Sequence, residues 1–277
     1  MRRILLSLSW LVLWPVHAAE LLLMSMSPAE LYQAQHSTYL PVAMVQQVLR
    51  YYPAPYKIET VSLNRALAGM RSTEGACVSG VRKSAARQDE FLYSEPYVIA
   101  PDVRLLLKTD SPWVNRLKTM QDKDGRVSLA RLLALTHPPV LVTEDGRTYG
   151  ATIDPILSAH RKSKAVYIRT SKVSRFGETL PMLTKGFVDM ALEYSVAIAP
   201  QELSQLQTFK LLEADPFALA FFACKRDAET AEILQLLDRA ILTFRNKPEF
   251  QSMLLEPFPP AERAEAWQAW LRLTGGR

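Results

Sequence analysis

The stretch that decides the fold covers residues 75–97 and reads GACVSGVRKSAARQDEFLYSEPY. Gly75 leads into a short run of small apolar residues at 76–78, which predicts a buried strand because such runs bounded by turn residues suit a sheet interior. A polar segment follows at 82–90, and an aromatic segment begins at Phe91. This order predicts a strand that ends in a polar turn, where α/β proteins commonly bind ligands.

Four elements precede this stretch and complete an α/β unit. A short apolar run predicts the first strand, alternating apolar residues predict the second, and apolar residues at helical spacing predict the helices. The elements are a strand over 21–26, a helix over 42–49 capped by Thr38, a strand over 56–61 and a helix over 63–70 capped by Ser62. Strands and helices in alternation predict a parallel sheet.

A second α/β unit is predicted in the later part of the chain. Its elements are a strand over 139–143, a helix over 153–159, a strand over 165–168, a helix over 180–183 that Gly186 ends, and a strand over 187–192. Apolar strands over 105–108 and 217–223 join the two units, and helices fill the C-terminal part. Because neither joint is a Gly/Ser linker, we expect two lobes joined by a hinge.

The deciding stretch also carries a family resemblance. In bacterial extracellular solute-binding proteins of family 3, relatives of the ligand-binding cores of ionotropic glutamate receptors, a strand ends in Ser/Gly. A Thr-x-x-Arg-like turn follows, and a Phe-Ser-x-Pro-Tyr run closes the segment. This sequence resembles that pattern through Ser84, Arg87, Phe91, Ser94, Pro96 and Tyr97. Two further matches are 183–189, which resembles the family's Leu-x-x-Gly-x-x-Asp, and the return strand over 217–225.

The resemblance implies an α/β fold of the type II periplasmic-binding-protein kind. Each of its two lobes would be a mostly parallel sheet flanked by helices, and two hinge strands would join them. On this chain the implied division is lobe I at 19–107 plus 218–277 and lobe II at 108–217. The resemblance therefore implies a protein that binds a small, anionic solute in the cleft between the lobes and serves as receptor for an uptake transporter.

Arg87 is the central candidate for this cleft. A guanidinium grips a carboxylate with two parallel hydrogen bonds, and the resemblance implies that Arg87 holds the carboxylate of the solute. From the residues alone, Arg87 is equally well explained as a solvated charge in a polar stretch. Arg82 is expected at the rim of the cleft, together with Lys83. Since backbone N–H groups at a strand end can share an anion, the candidates on lobe I also include Ser79, Gly80, Lys83 and Ser84.

On lobe II the candidates are Thr143, Tyr149 and Tyr194. Family members that bind amino acids usually carry an Asp five residues after the strand Asp, here Asp189, to hold the α-ammonium. This sequence has Tyr194 at that place and Glu193 one place early. Because adjacent strand residues face opposite sides, Glu193 cannot substitute without a bulge. Tyr194 therefore argues against an ordinary α-amino acid, although it is also explained as a core residue.

The chain contains two cysteines, Cys77 and Cys224. In an oxidising compartment an even pair invites a disulfide. Closing so long a loop would stabilise the fold by about 4–5 kcal/mol in the chain-entropy model. Two separate buried thiols are the alternative. The resemblance places both cysteines on central strands of lobe I, which favours the bridge.

The first 18 residues predict an exported protein. Arg2 and Arg3 precede an apolar run at 4–14, and a small-residue exit follows at 16–18, which is the order of a secretory signal peptide. The apolar run is too short to span a bilayer. No cysteine stands at the cleavage point for lipid attachment, so we expect a soluble periplasmic protein cleaved after Ala18.

Composition and motifs exclude several function classes. With 48% hydrophobic and 22% charged residues the chain is globular. Its formal net charge is +5, and removing Arg2 and Arg3 leaves +3, which is weak ground for nucleic-acid binding. Neither a zinc spacing nor a Gly-rich phosphate loop occurs. No metal, cofactor or nucleic-acid partner is therefore expected.

A monomeric binding protein without catalytic activity is the function that these observations favour. A catalyst would need a placed acid–base group, and the histidines at 17, 36, 137 and 160 are scattered without partners. Periplasmic dehydratases share the implied fold, so an enzyme is one alternative. A sensor that reports the solute to a signalling partner in the inner membrane is the other.

Overall fold

The computed structural model describes residues 20–33, 40–170, 177–194 and 204–276. The leader at 1–18, the cap at Thr38 and the histidine at 36 lie outside these residues. Within them two sheets are flanked by helices, so the predicted α/β fold is confirmed. In the described parts of the chain no helix is long and apolar enough to cross a membrane.

The elements follow one another in the order that the two predicted units require. The strands are β1 Leu21–Ser25, β2 Tyr56–Thr60, β3 Ala76–Val81, β4 Phe91–Tyr93, β5 Val98–Pro101, β6 Val103–Lys108, β7 Arg126–Val127, β8 Leu141–Glu144, β9 Val166–Arg169, β10 Met190–Tyr194, β11 Leu206–Leu211 and β12 Phe217–Lys225. The helices are α1 Ala29–Gln33, α2 Leu40–Arg50, α3 Leu63–Ser72, α4 Ala85–Gln88, α5 Trp113–Met120, α6 Leu129–Leu133, α7 Ile153–Ala159, α8 Leu180–Thr184, α9 Ala228–Arg245, α10 Glu249–Leu255 and α11 Arg263–Thr274.

The first sheet forms lobe I and has the strand order β2-β1-β3-β12-β4, with β5 also paired to β12. Strand β1 runs parallel to β2 and β3, whereas β12 runs antiparallel to β3, β4 and β5. Helices α2, α9, α10 and α11 pack on this sheet and bury its largest apolar cluster. The strand that returns late in the chain thus lies in the middle of the sheet built early.

Helices begin and bury their faces where the sequence indicates. Ser62 caps α3, and its side-chain oxygen accepts a hydrogen bond from the backbone N–H of Arg65. The predicted apolar face of this helix is buried. At α9 the carboxylate of Asp227 accepts from the backbone N–H of Thr230 at 2.8 Å. Such caps satisfy N–H groups that have no partner within the helix.

The second sheet forms lobe II and has the strand order β7-β11-β6-β10-β8-β9. Strand β10 runs parallel to β8 and antiparallel to β6. One predicted strand needs correction, because β10 covers Met190–Tyr194 and not 187–192. Gly186 has a φ of +75°, and Phe187 after it is 71% exposed, so the chain is still turning where the strand was expected.

Two neighbouring chain segments connect the lobes. The first passes from β5 to β6 at Asp102, and the second passes from β11 to β12 over residues 212–216. Strands β5 and β12 pair antiparallel from Phe217↔Pro101 to Ala220↔Val98, so the two connections lie side by side. Strand β6 pairs with β10 and β11 from Val103 to Lys108. The division at residues 107 and 108 stays a prediction.

A disulfide joins the two cysteines inside lobe I. Cys77 on β3 lies directly opposite Cys224 on β12, with 4.1 Å between the two Cα atoms. Both residues are fully buried. The predicted bridge is confirmed, and it covalently links the early part of lobe I to the strand that returns from lobe II.

Candidate functional site

A cavity of about 80 Å³ lies between the lobes, against the paired strands β5 and β12. Most of its wall is apolar, including the side chains of Met26, Leu63, Val98 and Leu219. Of the residues that the structure describes, three arginines also line it: Arg82, Arg87 and Arg147. A cavity of this size suits a small solute, since pockets for drug-sized ligands measure roughly 300–1,000 Å³.

Arg82 crosses from lobe I to lobe II. It follows the last residue of β3, and its Nη1 donates to the hydroxyl of Tyr194 at 2.7 Å and to the backbone oxygen of Tyr149 at 3.0 Å. Its Nη2 donates to Asp215 at 2.8 Å. Since only 17% of this side chain is exposed, the interpretation of Arg82 as a rim charge is wrong.

Arg87 reaches the cavity from the short helix α4. Its Nη2 donates to the backbone oxygen of Gly146 in lobe II, so Arg87 is a second residue that bonds across the cleft. Asn64 is a third, donating to Asp145 at 2.7 Å. Burial lowers the pKa of Arg87 below its ordinary value, and neighbouring acidic and tyrosine side chains only partly oppose this. The guanidinium is therefore a desolvated cation with incomplete compensation.

Arg147 is held by a buried ion pair with Glu193. The side chains are 6% and 0% exposed, and Nη1 of Arg147 donates to the carboxylate. The backbone N–H of Gly177 donates to the same carboxylate at 2.5 Å. Burial raises the pKa of Glu193, and the Arg147 guanidinium beside it acts in the opposite direction. The pair fixes the β8–α7 loop, which supplies the lobe II wall of the cavity.

The end of β10 shows the alternation expected from the sequence. Tyr194 lines the cavity, whereas Glu193 does not and is turned towards Arg147. Side chains of neighbouring strand residues point to opposite faces. The side chain that lines the cavity at the end of β10 is thus the uncharged phenol of Tyr194, and Arg82 is its hydrogen-bond partner.

The other candidates on lobe I have different surroundings. Gly80 lines the cavity with a φ of +75°. Ser79 is buried beside Tyr97, where burial raises the pKa of the phenol and hydrogen bonds from the Gly80 backbone and Ser79 oppose the rise.

Lys83 lies outside the cavity, with its Nζ 4.3 Å from the ring centre of Phe221. Ser84 directly precedes α4, and its backbone oxygen accepts a hydrogen bond from the backbone N–H of Arg87.

The remaining lobe II candidates support the cavity without lining it. Thr143 is buried on β8. The Tyr149 ring is buried as well, and its hydroxyl accepts from the backbone N–H of Glu144 at 3.1 Å. The contact of Tyr149 with the cleft is made by its backbone oxygen, to Arg82. Sequence reasoning missed Arg147, which lies two residues before Tyr149.

The described residues contain no group of three or more His, Cys, Asp or Glu side chains that could hold a metal ion. His137 is exposed in the loop after α6, and His160 ends α7. Neither lines the inter-lobe cavity. The chemistry that the described site offers is hydrogen bonding and charge pairing by guanidinium groups inside an apolar wall.

No protein-family model matches the sequence, and no curated protein is similar to it at a significant level. Solved structures are similar in fold. An amino acid ABC transporter substrate-binding protein from Streptococcus pneumoniae, bound to L-arginine, is 17% identical with a TM-score of 0.60, over 86% of this chain and 94% of that chain. A histidine kinase sensor domain with similarity to periplasmic binding proteins is 12% identical with a TM-score of 0.61, over 86% and 96%.

A third similar structure is an ancestral amino acid-binding protein, described as a precursor of cyclohexadienyl dehydratase. It is 14% identical with a TM-score of 0.60, over 87% of this chain and 96% of that chain. The chain therefore has the two-lobed periplasmic-binding-protein fold found in the substrate-binding proteins of amino acid ABC transporters.

Proposed function

We propose that this protein binds a small solute with an anionic group in the cavity between its lobes. The observation that carries the proposal is Arg87, a partly buried guanidinium that lines the cavity. An arginine has five N–H donors, and among the described residues Arg87 donates only to the backbone oxygen of Gly146. A desolvated cation with free donors is stabilised by an anion that accepts two of them at once.

Binding would favour the conformation in which the lobes touch. Arg82 and Arg87 belong to lobe I, and their partners Tyr194 and Gly146 belong to lobe II. A solute that contacts both lobes binds this conformation better than an open one and shifts the population towards it. Gly80 and Tyr194 would complete the contacts, while Ser79, Ser84, Thr143 and Tyr149 would hold the surrounding backbone in place.

In the proposal the protein works as a periplasmic monomer that delivers its solute to an inner-membrane transporter and does not change it chemically. The likeness to a histidine kinase sensor domain supports a second candidate, in which the same binding event informs a signalling partner. The two candidates share the cavity and differ in the partner. Binding of the loaded protein to membranes that contain the transporter, or to those with the sensor, would separate them.

The Arg87→Gln variant tests the proposal by thermal unfolding. The panel consists of amino acids, small organic acids, polyamines and phosphate esters. For the wild type, an anionic ligand at a hundredfold excess over its dissociation constant should add about 2.7 kcal/mol of stability. For a chain of this length that raises the unfolding temperature by about 5–10 °C. We expect the shift to disappear in Arg87→Gln.

Arg239→Gln serves as the matched control. Arg239 is exposed on α9, away from the cavity, so its replacement should leave the ligand-induced shift unchanged. The proposal is wrong if no compound shifts the unfolding temperature of the wild type. It is also wrong if the shift survives in Arg87→Gln.

A further inference from the structure

The three arginines of the cavity differ in how their charges are balanced. Arg147 is neutralised by Glu193, which is fully buried beside it. Arg82 pairs with Asp215 at 2.8 Å. Arg87 lies within 4 Å of no carboxylate among the described residues and bonds only to a backbone oxygen. Among the described lining residues, Arg87 is therefore the cation whose charge is left for an occupant to balance.

No acidic side chain belongs to the described lining of the cavity. The carboxylates of Asp145, on the β8–α7 loop, and Asp154, in the first turn of α7, are already engaged. Asp145 accepts from Asn64 at 2.7 Å and pairs with Arg161 at 3.4 Å. Asp154 accepts from the backbone N–H of Tyr149 at 2.7 Å and bonds to Thr148. Among the described lining residues, an ammonium group in the cavity would thus meet guanidinium groups and no carboxylate.

The rest of the cavity wall is apolar and determines which carbon skeleton the solute can have. Met26, Leu63 and Val98 are buried apolar side chains that line the cavity, and Leu219 faces it from β12. Burying apolar surface against such a wall is favourable by about 25 cal/mol per Å². A second charged group would lose its hydration here without gaining an unpaired counter-ion among the described lining residues, because Arg82 and Arg147 are already paired with carboxylates.

We infer that the solute is a small monocarboxylate with an apolar body and no ammonium group, as in an aliphatic 2-oxo acid. This inference rests on the proposed function and narrows it to one class of ligand. The carboxylate would accept two hydrogen bonds from Arg87, and the apolar chain would lie against Leu63, Val98 and Leu219. Tyr194, which also lines the cavity, would supply a polar contact for the 2-oxo group.

Pairs of compounds with one carbon skeleton test the inference. The pairs are 4-methyl-2-oxopentanoate with L-leucine and 3-methyl-2-oxobutanoate with L-valine, and 4-methylpentanoate separates the effect of the oxo group. Titration calorimetry of the mature protein measures each dissociation constant. We expect the oxo acid of each pair to bind on the order of 10- to 100-fold more tightly, because a buried charge without a partner costs at least that much affinity.

The outcomes separate this inference from the proposed function. Tighter binding of the oxo acids, lost in Arg87→Gln and kept in Arg239→Gln, supports both. Tighter binding of the amino acids that also depends on Arg87 overturns the inference and leaves the proposed function standing. Absence of binding by all five compounds overturns the inference, while a shift by other anions in the thermal panel would still support the proposed function.

Discussion

Removing both cysteines, in the variant Cys77→Ala/Cys224→Ala, is expected to lower the free energy of unfolding by about 4–5 kcal/mol. The bridge closes a loop with a sequence separation of 147 residues, which contains all of lobe II. A loop of this length leaves the unfolded chain much conformational entropy once the bond is gone. Urea unfolding under oxidising conditions, for the wild type and the variant each expressed from residue 19, measures the difference.

Reduction provides the control for packing effects. Alanine also removes two buried sulfur atoms, so part of the loss could come from the space they leave. Adding dithiothreitol during unfolding should lower the free energy of unfolding of the wild type by most of this amount. It should leave the free energy of unfolding of the double variant unchanged. A double variant whose stability stays within about 1 kcal/mol of the oxidised wild type would contradict a stabilising role for the bridge.

Replacing Glu193 by glutamine is expected to cost about 3–5 kcal/mol of stability. The substitution keeps the shape of the side chain and removes its charge. Arg147, whose side chain is 6% exposed, would then lose the negative charge of Glu193, which is fully buried beside it. Breaking one side of such a pair is costly because the remaining charge has lost both water and its counter-ion.

An exposed ion pair supplies the comparison. Glu20 pairs with Lys57 at 2.7 Å, and their side chains are 46% and 71% exposed. Glu20→Gln should change stability by less than about 1 kcal/mol, because solvent screens exposed pairs. Equal effects of Glu193→Gln and Glu20→Gln in urea unfolding would show that the pair at the cavity is not a structural anchor.

Local structure is well predicted from the sequence where a residue type has a single well-defined structural role. Ser62 caps α3 because its side chain can satisfy an N–H at a helix start. The apolar face of α2 is buried as its spacing indicates. The strand over 187–192 was misplaced because Phe187 is apolar and yet exposed, after a glycine that turns the chain.

Contacts across the fold are harder to predict from local patterns. Cys77 and Cys224 meet because β12 inserts beside β3, an arrangement that came from the family resemblance and not from spacing. Arg147 and Glu193 are 46 residues apart, and no local pattern pairs them. Arg147 follows a turn at Asp145-Gly146 and resembles a surface charge in the sequence.

The position of Arg82 in the sequence indicates a place at the ligand-binding edge of the sheet. It directly follows a buried parallel strand, at the carboxyl edge where α/β folds bind their ligands. The polar run after it favoured the interpretation as a rim charge. Its contacts with Tyr194 and Tyr149 exist only because lobe II folds back over this edge, which sequence patterns within lobe I do not show.

The most direct test of the binding site is a crystal structure of the protein, expressed from residue 19 and grown with 4-methyl-2-oxopentanoate. We expect the compound in the cavity between the lobes, with its carboxylate oxygens about 2.7–2.9 Å from the guanidinium nitrogens of Arg87. Its branched end should contact Leu219 and Val98. A compound bound elsewhere on the chain, or one in the cavity with its carboxylate turned away from Arg87, would show that Arg87 does not anchor the solute.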